Sequence, residues 1–348
     1  MKILSGNRIN CEEWSRLVQT SATGTWFQTP EAYSYYESLP DVFRPFVVAV
    51  ATPLSAAQHS ITPSLHEQVL RALCVGYVTV EKNPIKQFFT RRAIILGGPV
   101  IANDATDEEV ETLMNAVRNQ LEIGDWKLEI DVPIFIETRN FNDYSRWKEA
   151  FEKAGFAYRP HLNFHVDPKV ENLSENRCRQ IRKAKTTVEC LTNESVSELE
   201  IREWYKILSE LYRTKVKTPL WPEEFFLEAY RQRIGTFLLV KHEGKIIGGT
   251  FCVMDESTVY EWFECGLNNA YKEQYPSVMA TYAGMRYAAD NGYARYDMMG
   301  AGEPGVPYGV RDFKAEFGGT LVEHGRFLHI SKPFLYKIGK MAVRILKG

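Results

Sequence analysis

Long apolar runs, paired cysteines and a charge imbalance are all missing from this chain. No apolar stretch approaches the ~18 residues that a membrane-spanning helix requires. The first ten residues contain Lys2 but no apolar h-region, so they lack the form of a secretory signal. The six cysteines, at 11, 74, 178, 190, 252 and 265, include no Cys-x-x-Cys pair. Their scatter fits small core hydrophobes in a reducing compartment rather than a disulfide framework. Lys plus Arg number 42 against 44 Asp plus Glu, a net charge of −2, and the sequence pI is about 6.4. Nothing global therefore favours DNA. The expectation is a cytoplasmic globular protein.

Several catalytic signatures are missing too. There is no G-x-S-x-G elbow and no Walker loop, which sets aside serine hydrolases of that type and P-loop enzymes. Gly300 to Gly305 spells G-x-G-x-x-G after a strand-like run, but Pro304, Pro307 and Gly309 interrupt the segment. Only about 14 residues precede the next strand, too few for a βαβ crossover. His161 and His165 lie four apart with no third ligand at a plausible spacing, so they read as ordinary polar contacts and no metal is expected.

What is present is a hydrophobic fraction of 45%, enough for two cores, and an order of elements that occurs twice. In the first half, strands are expected at 46–50, 73–80, 93–100 and 126–130, with an acid-started helix over 107–123 and another over 144–154. The Ser/Thr/Pro/Gln-rich stretch 51–68 has no period and reads as a solvated excursion. In the second half, helices are expected at 174–185 and 197–215. A hairpin, 237–240 and 246–254, should turn at Glu243-Gly244. A strand 258–267, a helix 279–289 and a strand 294–299 come next. Strand 46–50 answers 237–240, 73–80 answers 246–254, helix 107–123 answers the helix near 279–289, and strand 126–130 answers 294–299. The fold class is α/β (α+β): two tandem units, each a mixed central sheet flanked by helices, with a boundary between 166 and 167.

Three features carry candidate chemistry. Arg177, Arg179, Arg182, Lys183 and Lys185 crowd one short helix, a pattern suited to a solvated basic face or to phosphate contacts, with Arg213, Lys215 and Lys217 able to extend that surface. Arg311-Asp312-Phe313-Lys314 comes after the glycine-rich loop beyond a strand's carboxyl end, where α/β folds place ligands; the alternative is that Phe313 belongs to the core and the charges are solvated. The segment Pro333–Lys347 puts Phe334, Leu335, Ile338, Met341, Ala342, Ile345 and Leu346 on one helical face and Lys337, Lys340, Arg344 and Lys347 on the other. That is the form of a helix docked on its own domain, or of one attracted to anionic lipid.

With these residues in place, the chain resembles the Fem family of peptidoglycan bridge-forming aminoacyltransferases, which are tandem GNAT-fold proteins. The resemblance rests on Trp26-Phe27-Gln28-Thr29-Pro30, on Arg177 to Lys185, on Tyr260 to Gly266, on Tyr296 to Gly300 and on Asp312 to Gly319. It implies two GNAT-like domains, 1–166 and 167–348, and transfer of an acyl or aminoacyl group to an amine of a cell-envelope precursor at the inner face of the membrane. The donor it implies is classically an aminoacyl-tRNA, with no bound cofactor; the alternatives are an acyl-CoA-dependent N-acyltransferase for exopolysaccharide or small-amine acceptors, and a non-catalytic scaffold or sensor on the same fold. By the resemblance, Lys314 stabilises the oxyanion, a role that typically contributes ~2.7–4 kcal/mol. Asp312, Glu264 and Asp297 are the candidates for taking the amine's proton. Phe313, Arg311, Tyr260, Asp297, Arg177, Arg182, Arg213 and Lys215 are the candidate substrate-binding residues. The sequence also departs from the family. The helix after Phe27-Gln28 has no Lys or Arg between Glu31 and Glu37, and Tyr271 to Ser277 replaces the Q/R-x-x-G-x-G/A loop that holds acetyl-CoA.

Overall fold

Runs of Val, Ile, Leu and Phe at strand spacing build two separate sheets. A computed structural model describes residues 1–53, 68–83, 87–88, 90–123, 134–169, 172–216 and 218–338. The chain forms two units: Met1–Pro160 with His324–Gly348, and His161–Glu323. No helix among the described residues is long and apolar enough to cross a membrane.

The first unit's sheet contains β1 (Lys2–Ser5), β2 (Phe43–Pro53), β3 (Gln68–Thr79), β4 (Arg92–Leu96), β5 (Val100–Ile101), β6 (Phe135–Arg139), β7 (Ala157–Arg159) and β15 (Arg326–Ile330). Their order is β1-β2-β3-β4-β6-β15-β7, with β5 beside β3. Asn10 caps α1 (Cys11–Thr20) by accepting from Glu13 N, and Thr29 caps α2 (Pro30–Glu37), where Pro30 needs no backbone donor. α3 (Asp107–Ile123) opens on three acids, which complement the helix dipole. Its apolar stripe, Val110, Leu113, Met114 and Val117, packs with α4 (Tyr144–Lys153) over Val48, Cys74, Ile95 and Ile136.

The second unit repeats the plan. Its strands β8 (Leu162–Val166), β9 (Glu189–Leu191), β10 (Thr236–His242), β11 (Lys245–Met254), β12 (Thr258–Gly266), β13 (Arg295–Gly300) and β14 (Thr320–Glu323) are ordered β14-β8-β13-β12-β11-β10-β9. The helices are α5 (Glu175–Ala184), α6 (Glu198–Leu211), α7 (Glu223–Arg231), α8 (Pro276–Asp290) and α9 (Gly309–Ala315). The hairpin turns where expected, with Glu243 and Gly244 both at positive φ (48° and 77°), as a two-residue turn of this hand requires.

Several expectations differ from the structure. The boundary expected between 166 and 167 falls one strand late, because β8 belongs to the second unit's sheet, where it pairs with β13 and β14. Reciprocally, β15 belongs to the first unit's sheet, between β6 and β7. Sequence pattern identifies strands but not their partners, so this exchange was hidden. The helix expected over 197–215 ends at Leu211 and continues as a π-helical stretch, Tyr212–Val216, while α7 had no expected counterpart. Arg311–Lys314, beyond the glycine-rich loop, lies within the short helix α9. The expected strand 126–130 lies outside the described residues, and β6 is the strand that answers β13. Of the helix expected over Pro333–Lys347, residues 333–338 are helical and the rest lies outside the described residues.

Candidate functional site

In the second unit β12 and β13 run parallel but pair at only three positions: Thr258 with Arg295, Val259 with Tyr296 and Tyr260 with Asp297. Beyond that point β12 stays with β11 as far as Gly266, while β13 stays with β8 as far as Gly300. The strands part, and a wedge opens at their carboxyl ends.

A bulge decides which side chains face the wedge's helical side. Cys252 pairs with Glu261 and Phe251 with Phe263, leaving Trp262 as the extra residue of β12. Trp262 and Phe263 both enter an aromatic cluster, with ring centroids 5.3 Å and 6.0 Å from Phe225. Glu261 and Glu264, three apart, then share the face covered by α8. The Tyr296 hydroxyl donates to Glu261 Oε1 at 2.9 Å, and Ser277, in the first turn of α8, hydrogen-bonds Glu264.

Opposite these carboxylates is Lys314, buried at the end of α9. Its ammonium donates to the backbone carbonyls of Met298, of Met299 (3.4 Å) and of Gly300 (2.8 Å). It thereby holds the parting end of β13, where Met299 has a left-handed φ of 60°. The Asp297 carboxylate braces the same turn. Its Oδ1 accepts from Met299 N at 2.6 Å and from Asn163 Nδ2 at 3.1 Å.

Burial dominates the electrostatics. It pushes the Glu264 carboxyl up to about 8, the charge of Glu261 adding to the effect while Ser277 and Lys314 oppose it. Glu261 is also raised, chiefly by burial. Lys314 is lowered by burial, against the pull of Glu261, Asp297 and Glu264. Among the described residues, Glu264 Oε1 is shielded from solvent yet accepts no hydrogen bond. The wedge thus holds a proton-accepting group poised near neutrality, with an oxygen uncommitted.

Of the expected site residues, Lys314, Glu264 and Asp297 come together around this wedge. Tyr260 lies at its root, where its hydroxyl donates to Asp255 Oδ2 at 2.6 Å. The others serve elsewhere. Arg311 clamps the glycine-rich loop through Ala301 O (2.8 Å), Val306 O (3.1 Å) and Glu303 O (2.5 Å). Asp312 is exposed in the first turn of α9. Arg177 points inward, its guanidinium 4.5 Å from the Phe313 ring centroid and its Nη2 donating to Phe313 O at 3.3 Å. Arg177 and Phe313 thereby fasten α9 to α5. Arg182 is exposed on α5, and Lys215 is exposed in the π-helical stretch. Arg213 makes a two-pronged pair with Glu210 at 2.9 and 2.7 Å.

Sequence reasoning passed over Glu261 and Tyr296 as working parts. Two glutamates three apart in a regular strand face opposite ways, and only the adjacent aromatic pair Trp262-Phe263 hinted at a bulge.

The first unit is built differently at the corresponding place. There β4 and β6 pair along five positions, from Arg92 with Phe135 to Leu96 with Arg139. On the other side of β4, the fully buried Gln28 bridges β3 to the end of β4: its Nε2 donates to Val75 O (2.9 Å) and Leu96 O (2.6 Å), and its Oε1 accepts from Val75 N (2.7 Å). The β4–β6 pair itself stays together along those five positions.

Two GNAT-type units in one chain, the second with an open and charged wedge, define a tandem acyltransferase fold. Residues 174–314 match the family model described as the acetyltransferase (GNAT) domain. FemX has a similar structure, with a TM-score of 0.66 at 12% identity over 97% of this chain and 99% of that one. A tandem GNAT protein from the clavulanic acid biosynthesis pathway gives 0.54 at 9% identity, over 95% and 99% of the two chains. The C-terminal domain of a protein described as a putative lysylphosphatidylglycerol synthetase from Agrobacterium fabrum gives 0.52 at 12% identity, over 97% and 95%. No curated protein matches the sequence. The chain therefore has a tandem GNAT fold, similar to that of FemX.

Proposed function

We propose that the second unit transfers an aminoacyl group from the ester of an aminoacyl-tRNA to a primary amine of a cell-envelope precursor. The uncommitted Oε1 of Glu264, on a carboxyl raised to about 8 at the open wedge, carries this reading. An amine attacks only after its ammonium form loses a proton, and a base of this strength takes that proton near neutral pH. The new N–C bond forms as the ester C–O bond breaks, and the departing tRNA hydroxyl gains the proton. Lys314 acts by holding Met298–Gly300 and by keeping a buried positive charge beside the developing oxyanion.

The start of α8 favours an ester donor over a CoA thioester. Pro276 supplies no N–H, and the Ser277 N–H is taken by Asn268 Oδ1 at 3.1 Å, while Asn268 Nδ2 donates to Ser277 Oγ at 2.8 Å. A pyrophosphate would have to compete with that side chain for the helix N-terminus. FemX and the lysylphosphatidylglycerol synthetase domain support an acceptor in the cell envelope by likeness of fold. A lipid-linked acceptor at the inner face of the membrane suits the exposed Phe334 and Ile338, 75% and 41% accessible. The family description, acetyltransferase, favours a second reading in which acyl-CoA is the donor.

Single-turnover assays with labelled aminoacyl-tRNA or labelled acyl-CoA, each with a lipid-linked or a nucleotide-linked muropeptide, separate these readings. Label should pass from tRNA to the lipid-linked acceptor, and Glu264→Gln should slow it by about 10²-fold or more. Transfer from CoA alone would replace the ester reading with the second one. Transfer from neither donor, by protein shown to be folded, would overturn both.

A further inference from the structure

On the other flank of α8 is a cavity of about 670 Å³, within the range of small-molecule sites. It borders β9 and β10, and the sheet order puts β11 between it and β12. Its origin is a shortfall of strand. β9 pairs only with Leu239, Val240 and Lys241 of β10, so Thr236 to Leu238 extend past the end of the edge strand. The segment from Lys185 to Glu194 closes the gap as a wall instead.

The floor is apolar: Leu191, Leu238, Met279 and Ala283 line it and are at most 9% exposed. At the mouth, Lys185 Nζ donates to the Tyr282 hydroxyl at 3.0 Å and lies 4.7 Å from that ring's centroid. Among the described residues no carboxylate pairs with Lys185. The other lining cation, Arg286, is paired with Asp290 one turn along α8. Glu194 lines the far end, where its charge acts on Tyr287. An apolar floor with its one uncompensated cation at the Tyr282 end suits a ligand with a hydrocarbon body and a single negative head. The geometry points to a binding site, separate from the wedge, for an anionic amphiphile of the acyl carboxylate class, with Lys185 and the Tyr282 hydroxyl holding its head.

Isothermal titration of the full chain with decanoate, decanol and decylamine tests this. Decanoate should bind saturably at one site per chain. Lys185→Gln should weaken it about tenfold, the loss of one charge-assisted contact, and Lys185→Arg should restore most of the affinity. Ala283→Leu, which fills the floor, should weaken decanoate and decanol alike. Glu264→Gln should leave decanoate affinity unchanged, separating this cavity from the transferase reading. Absence of saturable decanoate binding, affinity in Lys185→Gln within twofold of wild type, or tighter binding of decylamine than of decanoate would overturn the assignment.

Discussion

Glu264 and Lys314 pull in opposite directions on one proton. A base must be deprotonated to act, so the transfer rate should rise with pH through about 8, and Glu264→Gln should lose that limb along with most of the rate. The same group has a stability signature. Its folded carboxyl titrates near 8 against an ordinary glutamate value of 4.5, so the native state binds more protons across that interval. Stability should fall as pH rises from about 4.5 to about 8, by linkage. Melting temperatures at pH 5 and pH 9 should differ less in Glu264→Gln than in wild type. Lys314 pulls the Glu264 carboxyl down, so Lys314→Met should move the kinetic limb to higher pH. Removing that buried cation also leaves the carbonyls of Met298, Met299 and Gly300 without their donor. We expect a loss of ~3–5 kcal/mol, as for breaking a buried charged partnership, readable by urea denaturation. A limb that stays in place in Lys314→Met would show that the lysine's charge is not felt at Glu264.

At the scale of elements, one extra residue in β12 does what no regular strand can. The bulge at Trp262 gives Glu261 and Glu264 a common face, and α8 completes that face only because Gly284 lets Tyr296 approach. A Cβ at position 284 would lie 2.1 Å from the Tyr296 hydroxyl oxygen. Alanine in a helix is worth ~1 kcal/mol over glycine, yet here the clash should win. Gly284→Ala should lower both the melting temperature and the transfer rate, since Tyr296 must leave Glu261 to make room. A higher melting temperature with an unchanged rate would refute this view of the helix. In the first unit, Gln28 plays the role of a missing backbone. Gln28→Leu leaves Val75 N, Val75 O and Leu96 O without their side-chain partner in a dry site. The expected cost is ~2–4 kcal/mol, at 1–3 per unsatisfied group with partial relaxation.

At the scale of the whole molecule, each sheet borrows a strand from the far end of the other half's sequence. Residues 161–323 contain every strand of the second sheet. That fragment alone should unfold cooperatively. A fragment of 167–348 lacks β8, which pairs with both β13 and β14, and should fail to give a cooperative transition by circular dichroism. Equal behaviour of the two fragments would mean that β8 contributes little to the sheet. Because β13 is held by β8 on one side and has parted from β12 on the other, the exchanged strand also supports the wall of the wedge.

The sequence by itself determined the two-unit α/β plan, because strand alternation, helix caps and the Glu243-Gly244 turn are local and each depends on a few neighbouring residues. The Arg311–Lys314 motif stood out past its glycine-rich loop, while the role of Lys314, and Asp312, Glu264 and Asp297 as candidate bases, came with the family resemblance. Partners were decided only in three dimensions. Arg177 and Arg311 look identical in sequence to ligand-binding arginines, yet they donate to Phe313 O and to the loop carbonyls from Ala301 to Val306. Likewise the facing of Glu261, the bridging of β3 to β4 by Gln28 and the exchange of β8 and β15 depend on which backbone lies alongside. Those are long-range pairings, and a linear pattern with a period of two or 3.6 residues holds no record of them.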